Sequence, residues 1–208
     1  MKGAFSSPDE VLEREIMNHL FPDTTYGCES GGDPKNIPDL TYENFLNFHR
    51  TYYHPSNSYI YLYGNMDMEE KLAFLDEHYL SHFDYLDVDS VIQEQKAFGA
   101  CRDVTLEYPV AENEGEEDNT YLSYNMVVGN AADSQMAMAF EVLDYALLSA
   151  PGAPLKQALL DVKAGKDVYG SYDDGILQPY FTVIAKGSNP DRKEEFVSVI
   201  RQVLGDNC

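Results

Sequence analysis

Residues Thr25 to Asn65 read TYGCESGGDPKNIPDLTYENFLNFHRTYYHPSNSYIYLYGN, and three kinds of local structure follow one another in that stretch. Gly27, Gly31–Gly32, Pro34 and Pro38 punctuate a long ordered loop running from Phe21 to Leu40. Thr41 then caps a helix. Its apolar residues Tyr42, Phe45, Phe48 and Tyr52 recur every three to four positions, until His54-Pro55 closes it because the residue before a proline is pushed out of the helical region. Ser58–Tyr63, which contains YIYLY, is aromatic and β-branched enough to predict a strand that turns at Gly64-Asn65.

Working outward, Ser7 and Pro8 followed by Asp9 and Glu10 predict a helix start with Ser7 as N-cap, and Val11, Leu12, Ile16, His19 and Leu20 give that helix one face before Pro22. On the other side, Asp67 starts a third helix whose buried stripe is predicted at Met68, Leu72, Leu75, Tyr79 and Phe83. Periodicity then fades from Asp84 to Gly99, which reads as a linker. Beyond it, Val104–Pro109 and Tyr121–Val128 predict two antiparallel strands joined by the acidic segment AENEGEED at 111–118. A helix starting at Asp133 or Ser134 and running through Met136, Phe140, Leu143 and Leu147, a helix over Pro154–Val162, strands at Val168–Asp173 and Tyr180–Lys186, and a last helix over Pro190–Leu204 complete the order.

The composition excludes several function classes. A chain of 208 residues with 44% hydrophobic content, 16 Tyr and 10 Phe has enough apolar surface for a real core, and no run of 18 or more apolar residues is present to span a bilayer. Thirty-six acidic against 14 basic residues give a formal net charge of −22, which repels phosphate backbones and favours cationic ligands, basic peptides among them. Cys28, Cys101 and Cys208 are odd in number and far apart, so they read as free thiols in a reducing compartment, and the location expected is cytoplasmic.

The Thr25–Asn65 signature, together with Met1-Lys2-Gly3, resembles the presequence-protease branch of the pitrilysin/insulinase zinc metallopeptidases. That family runs Asn-Glu-Met-Lys-Gly at this point. The resemblance implies that the Glu before Met1 is the third zinc ligand and that an inverted H-x-x-E-H motif, carrying the other two ligands and the catalytic Glu, lies further upstream. It also implies an α+β fold of mostly antiparallel sheets covered on one face by helices, in two partial domains. Residues 1–95 would be the C-terminal part of the catalytic domain, and residues 96–208 a following homologous non-catalytic domain truncated at its end. The activity implied for the parent protein is zinc-dependent endoproteolysis of short basic peptides inside an acidic chamber, with a metal-bound water as nucleophile. This chain is expected to hold no catalytic, cofactor-binding or metal residue and to be inactive alone. Its expected partners are the peptide substrates and the remaining domains of the polypeptide, with a fragment-induced dimer through broken interfaces. A non-catalytic scaffold or peptide-binding subunit of the same superfamily is the alternative.

Other sources of chemistry in the sequence are weak. His78 and His82 are four apart in EHYLSH, a zinc-compatible spacing, but Tyr79, Leu80 and Ser81 between them offer no base, so a helix C-terminal pair is the expectation. His19, His49 and His54 read as structural histidines. The acidic run Glu112–Asp118 lacks the D-x-[DN]-x-[DN]-G calcium pattern and reads as a solvated loop. Ser30-Gly31-Gly32 lacks the G-K-[ST] of a phosphate cradle and reads as a backbone turn. No G-x-S-x-G nucleophile elbow occurs.

Overall fold

The strand whose residues are most thoroughly buried is β3, Tyr180–Ser188, and the sheet is organised around it. The computed structural model describes residues 7–110 and 115–206. By contacts between residues the chain divides into two units, residues 1–30 with 93–208, and residues 31–92. The first unit carries helix α1 (Pro8–Leu20), β1 (Thr120–Val127), α4 (Ser134–Asp144), α5 (Pro154–Asp161), β2 (Asp167–Asp173), β3 and α6 (Lys193–Asp206). The second carries α2 (Tyr42–Tyr52) and α3 (Met68–His78).

The three strands form one antiparallel sheet in the order β1-β3-β2. Its register sorts the side chains by period two. Leu122, Ala185 and Val168 make one cross-strand row, and Met126, Phe181 and Tyr172 make another. These rows face Leu148 from the turn after α4, Leu155 and Leu159 from α5, and Phe196 and Ile200 from α6, which together form the core. Burying each of the large side chains stabilises the fold by roughly 1.5–3 kcal/mol. Between the rows lies Gly170, where an added Cβ would stand 2.1 Å from the Thr182 carbonyl oxygen and 2.5 Å from Leu148 Cδ1. Only glycine lets the helix layer approach the sheet at that point. Leu148 reaches it from a π-helical turn, Tyr145–Ser149, that continues α4.

The opposite sheet face carries Ser123, Ile184 and Tyr169 in one row and Asn125, Thr182 and Ser171 in the next. Helix α1 packs on this side: Asp9 bonds to Tyr169 and Lys186, Ile16 is buried, and Phe21, fully buried, meets the Tyr180 ring edge-on at 6.2 Å. The α+β class and the antiparallel sheet with its helices are therefore as the sequence predicts.

Two predicted strands are absent. Ser58–Tyr63 forms no ladder, and Tyr59, Tyr61 and Tyr63 stand in solvent. Its composition suits a sheet, but no second strand lies beside it among the described residues. Val104–Pro109 is likewise irregular, and the hairpin expected across the acidic segment does not form, because β1 takes β3 as its partner. Tyr108 instead donates to the Asn119 carbonyl and meets the Tyr121 ring edge-on.

Local signals for helix starts divide more finely. Thr41 Oγ1 accepts from Asn44 N–H at 3.1 Å and Asp67 Oδ1 from Glu70 N–H at 3.0 Å, so both caps form. Ser7 occupies the N-cap of α1 without a side-chain cap bond. The last helix begins at Lys193 behind a 3₁₀ turn over Pro190–Arg192. The third helix stops at His78, earlier than the Phe83 of its predicted stripe.

Candidate functional site

Polar groups converge most densely where α1 crosses β1, β3 and β2. A register shift between Thr120 and Leu122 places Tyr121 in an irregular step of β1. Lys186 Nζ lies 5.2 Å from the centre of the Tyr121 ring and donates to Asp9 at 2.8 and 3.1 Å. The hydroxyls of Tyr121 and Tyr169 approach the same carboxylate at 3.4 Å each. The hydrogen bond from Lys186 holds the Asp9 carboxyl below the usual carboxylate range, and Asp9 raises Lys186 in return. Burial first, and the Asp9 charge second, push Tyr169 up to about 12.

Beside this cluster opens a pocket of about 450 Å³ lined by Asp118, Asn119, Tyr121, Lys166, Asp167, Lys186 and Gly187. Its charges are already committed. Lys166 pairs with Asp118 at 3.1 Å, Asp118 also accepts from Asn189, and Asp167 lies 3.7 Å from Lys156. Groups so paired hold elements together.

A second polar knot fixes the chain just after α1. Gln95 is buried within the stretch read as a linker; its side chain accepts from Asp23 N–H at 2.9 Å and donates to Asp23 Oδ2 at 2.7 Å. Its main chain exchanges hydrogen bonds with the Gln178 amide, while Tyr26 Oη accepts from Leu177 N–H at 3.2 Å. Gln95 carries no local signal, since a polar residue in an irregular run looks solvated until its partners, 72 and 83 positions away, are known.

The histidines are dispersed among local partners. His78 ends α3 with its ring on Phe74 at 4.6 Å, whereas His82 lies in a separate 3₁₀ turn, Leu80–His82, so the two do not share the single helix that their spacing suggests. His54 Nδ1 accepts from Ser56 N–H, His49 stacks on Tyr53 at 4.9 Å, and His19 Nδ1 lies 2.7 Å from the Glu15 carbonyl. Gly32 has φ +83, the left-handed conformation of a turn. Cys28 and Cys101 are exposed free thiols. Glu112 and Cys208 lie outside the described residues. Among the described residues no three His, Cys, Asp or Glu side chains are grouped so as to hold a metal ion, and these described residues do not fit a zinc site.

Comparison with known proteins agrees with the fold. A solved M16-like peptidase from Alicyclobacillus acidocaldarius superposes with a TM-score of 0.57 at 18% identity, over 97% of this chain and 48% of that one. Protein HypA of Clostridium perfringens is 48% identical over 206 residues, 99% of this chain and 21% of that protein. Presequence protease 1 of Arabidopsis thaliana, chloroplastic/mitochondrial, is 36% identical over 98% of this chain and 19% of its own length. The mitochondrial presequence protease of Xenopus laevis is 32% identical over 99% and 20% respectively. The chain thus spans about a fifth of the length of these curated relatives. Residues 39–206 match the model of the peptidase M16 inactive domain, and the chain belongs to the M16, or pitrilysin-like, peptidase family.

Proposed function

We propose that this chain is the non-catalytic portion of a longer zinc metalloendopeptidase that degrades short basic peptides, and that it has no activity by itself. The observation that carries this reading is the match of residues 39–206 to a domain described as inactive, in a chain spanning a fifth of relatives named as presequence proteases. The dispersal of its histidines supports it, since every zinc ligand must then come from elsewhere in the polypeptide. In this proposal residues 1–95 complete a catalytic domain and residues 96–208 start the next, and the protein works in the cytoplasm.

The role of these residues is to build walls. A formal charge of −22 supports a chamber that concentrates cationic peptides and speeds their capture, an effect that weakens as salt screens it. The paired charges between α1 and the sheet, and the Gln95 knot, give that wall its rigidity. Proton transfer and nucleophilic attack belong to groups outside this chain.

A basic fluorogenic peptide tests the proposal. Cleavage by the full-length polypeptide and none by residues 1–208 is the expected pair of results; cleavage by residues 1–208 alone overturns it. The word inactive in the matched domain's description favours a second reading, a scaffold or peptide-binding member of the family. Under that reading the full-length protein binds the peptide without cleaving it.

A further inference from the structure

Gly175 follows Asp174 in the loop that joins β2 to β3, and no other Asp-Gly or Asn-Gly pair occurs in the sequence. An aspartate before a glycine is open to attack by the next main-chain nitrogen, because glycine has no side chain to shield that nitrogen or to restrict its approach. The fold leaves this pair accessible. Asp173 with Tyr180 is the last rung of the β2–β3 ladder, so residues 174–179 lie beyond it, and both Asp174 and Gly175 are exposed.

An amide nitrogen attacks poorly while it keeps its proton, and here a carboxylate stands ready to take it. Gly175 N–H donates to Asp173 Oδ1 at 2.9 Å, and the Tyr180 hydroxyl donates to Oδ2 of the same group at 3.2 Å. Asp173 is thereby fixed within the reach that a general base needs. Further along, the loop is clamped: the Leu177 carbonyl accepts from Ala131 N–H at 2.9 Å, and Leu177 N–H donates to Tyr26 Oη at 3.2 Å. A change of backbone at Asp174 therefore has residues 174–176 in which to be absorbed, away from the sheet.

We propose that Asp174–Gly175 is a site of spontaneous modification, converting to isoaspartate with Asp173 as the base. The Gly175 nitrogen bonds to Cγ of the protonated Asp174 carboxyl while the Cγ–OH bond breaks. The nitrogen's proton passes to Asp173 and on to the departing hydroxyl, which leaves as water. One water then adds back to the five-membered imide. Opening at Cγ restores aspartate; opening at the Asp174 main-chain carbonyl runs the backbone through Cγ and leaves a carboxylate on Cα. Neither step is a redox step, and the product has the mass of the starting chain.

Ageing the folded full-length polypeptide in warm, mildly acidic buffer tests the proposal. Trypsin cuts after Lys166 and Lys186 and releases the pair within one peptide, residues 167–186. Electron-transfer fragmentation of that peptide locates isoaspartate, and the imide is seen as the same peptide lighter by one water. Isoaspartate is expected at 174 ahead of every other aspartate in these 208 residues. Gly175→Val is expected to suppress it. Asp173→Asn keeps an oxygen to accept the Gly175 N–H but removes the base, and is expected to slow the conversion about tenfold or more in the folded protein. No isoaspartate at 174 in the folded protein, with formation in the free 167–186 peptide, would show that the loop protects the pair and overturn the proposal. An unchanged rate in Asp173→Asn, or an equal slowing by that substitution in the free peptide, would overturn the part assigned to Asp173.

Discussion

Lys186 on β3 donates to both carboxylate oxygens of Asp9 on α1, at 2.8 and 3.1 Å, across 177 positions of sequence. The pair ties α1 to the sheet face opposite the main core. Both side chains remain about two-fifths exposed, so solvent screens them and the pair contributes about 0.2–1 kcal/mol. Asp9→Ala and Lys186→Ala are each expected to lower the melting temperature slightly, with a coupling in that range from a double-mutant cycle that shrinks in high salt. The Asp9 pKa is depressed in the fold, so its contribution is fully present above the ordinary value of 3.8 and is lost as pH falls through the folded value. The difference in melting temperature between wild type and Asp9→Ala is therefore expected to shrink as pH falls below 3.8 and to vanish below the lowered folded value.

Gly170→Ala is expected to be much more damaging. The new methyl would collide with the Thr182 carbonyl oxygen on the neighbouring strand, which cannot move without breaking the β2–β3 ladder. Overpacking of this kind costs about 1–3 kcal/mol, visible as a lower denaturant midpoint.

Asp144→Asn is expected to stabilise the fold at neutral pH. Burial raises the Asp144 carboxyl, and its Oδ1 has no hydrogen-bond partner among the described residues. A raised acid contributes fully below its unfolded pKa and loses that contribution as pH rises through the folded one, so at neutral pH the native state carries the penalty of a buried charge. The amide carries no charge. Thermal melts at neutral pH are expected to show a rise of about 2–4 °C, narrowing toward acid.

Tyr169 and Tyr180 are expected to be among the last phenols to ionise. Burial is the leading cause in both, reinforced by Asp9 and by Asp173 respectively, and each is pushed up to about 12. Their contribution to stability is fully present below the ordinary pKa of 10 and is lost as pH rises toward 12. In a spectrophotometric titration of phenolate, Tyr169→Phe and Tyr180→Phe should each remove absorbance from the most alkaline part of the curve.

What could be read in the sequence was whatever depends on near neighbours. Thr41 and Asp67 announce their helices because a cap needs only the next three residues. β1, β2 and β3 were legible because each is rich in β-branched and aromatic residues and finds its partner within the chain. Tyr59–Tyr63 carries an equally strong strand composition and forms no ladder, because pairing requires a second strand that composition cannot supply. The pairing of Asp9 with Lys186 and the burial of Gln95 gave no signal, since each is an ordinary polar residue until folding brings it to a partner 72 or more positions away. The helical spacing of His78 and His82 misled for a local reason: α3 ends between them, and His82 lies in a new 3₁₀ turn.

The proposed function places zinc chemistry in the longer polypeptide and outside residues 1–208. Elemental analysis of zinc per chain, on purified residues 1–208 beside the full-length polypeptide, tests it most directly. One equivalent of zinc is expected in the full-length protein and none in residues 1–208; one equivalent bound by residues 1–208 alone would contradict that assignment.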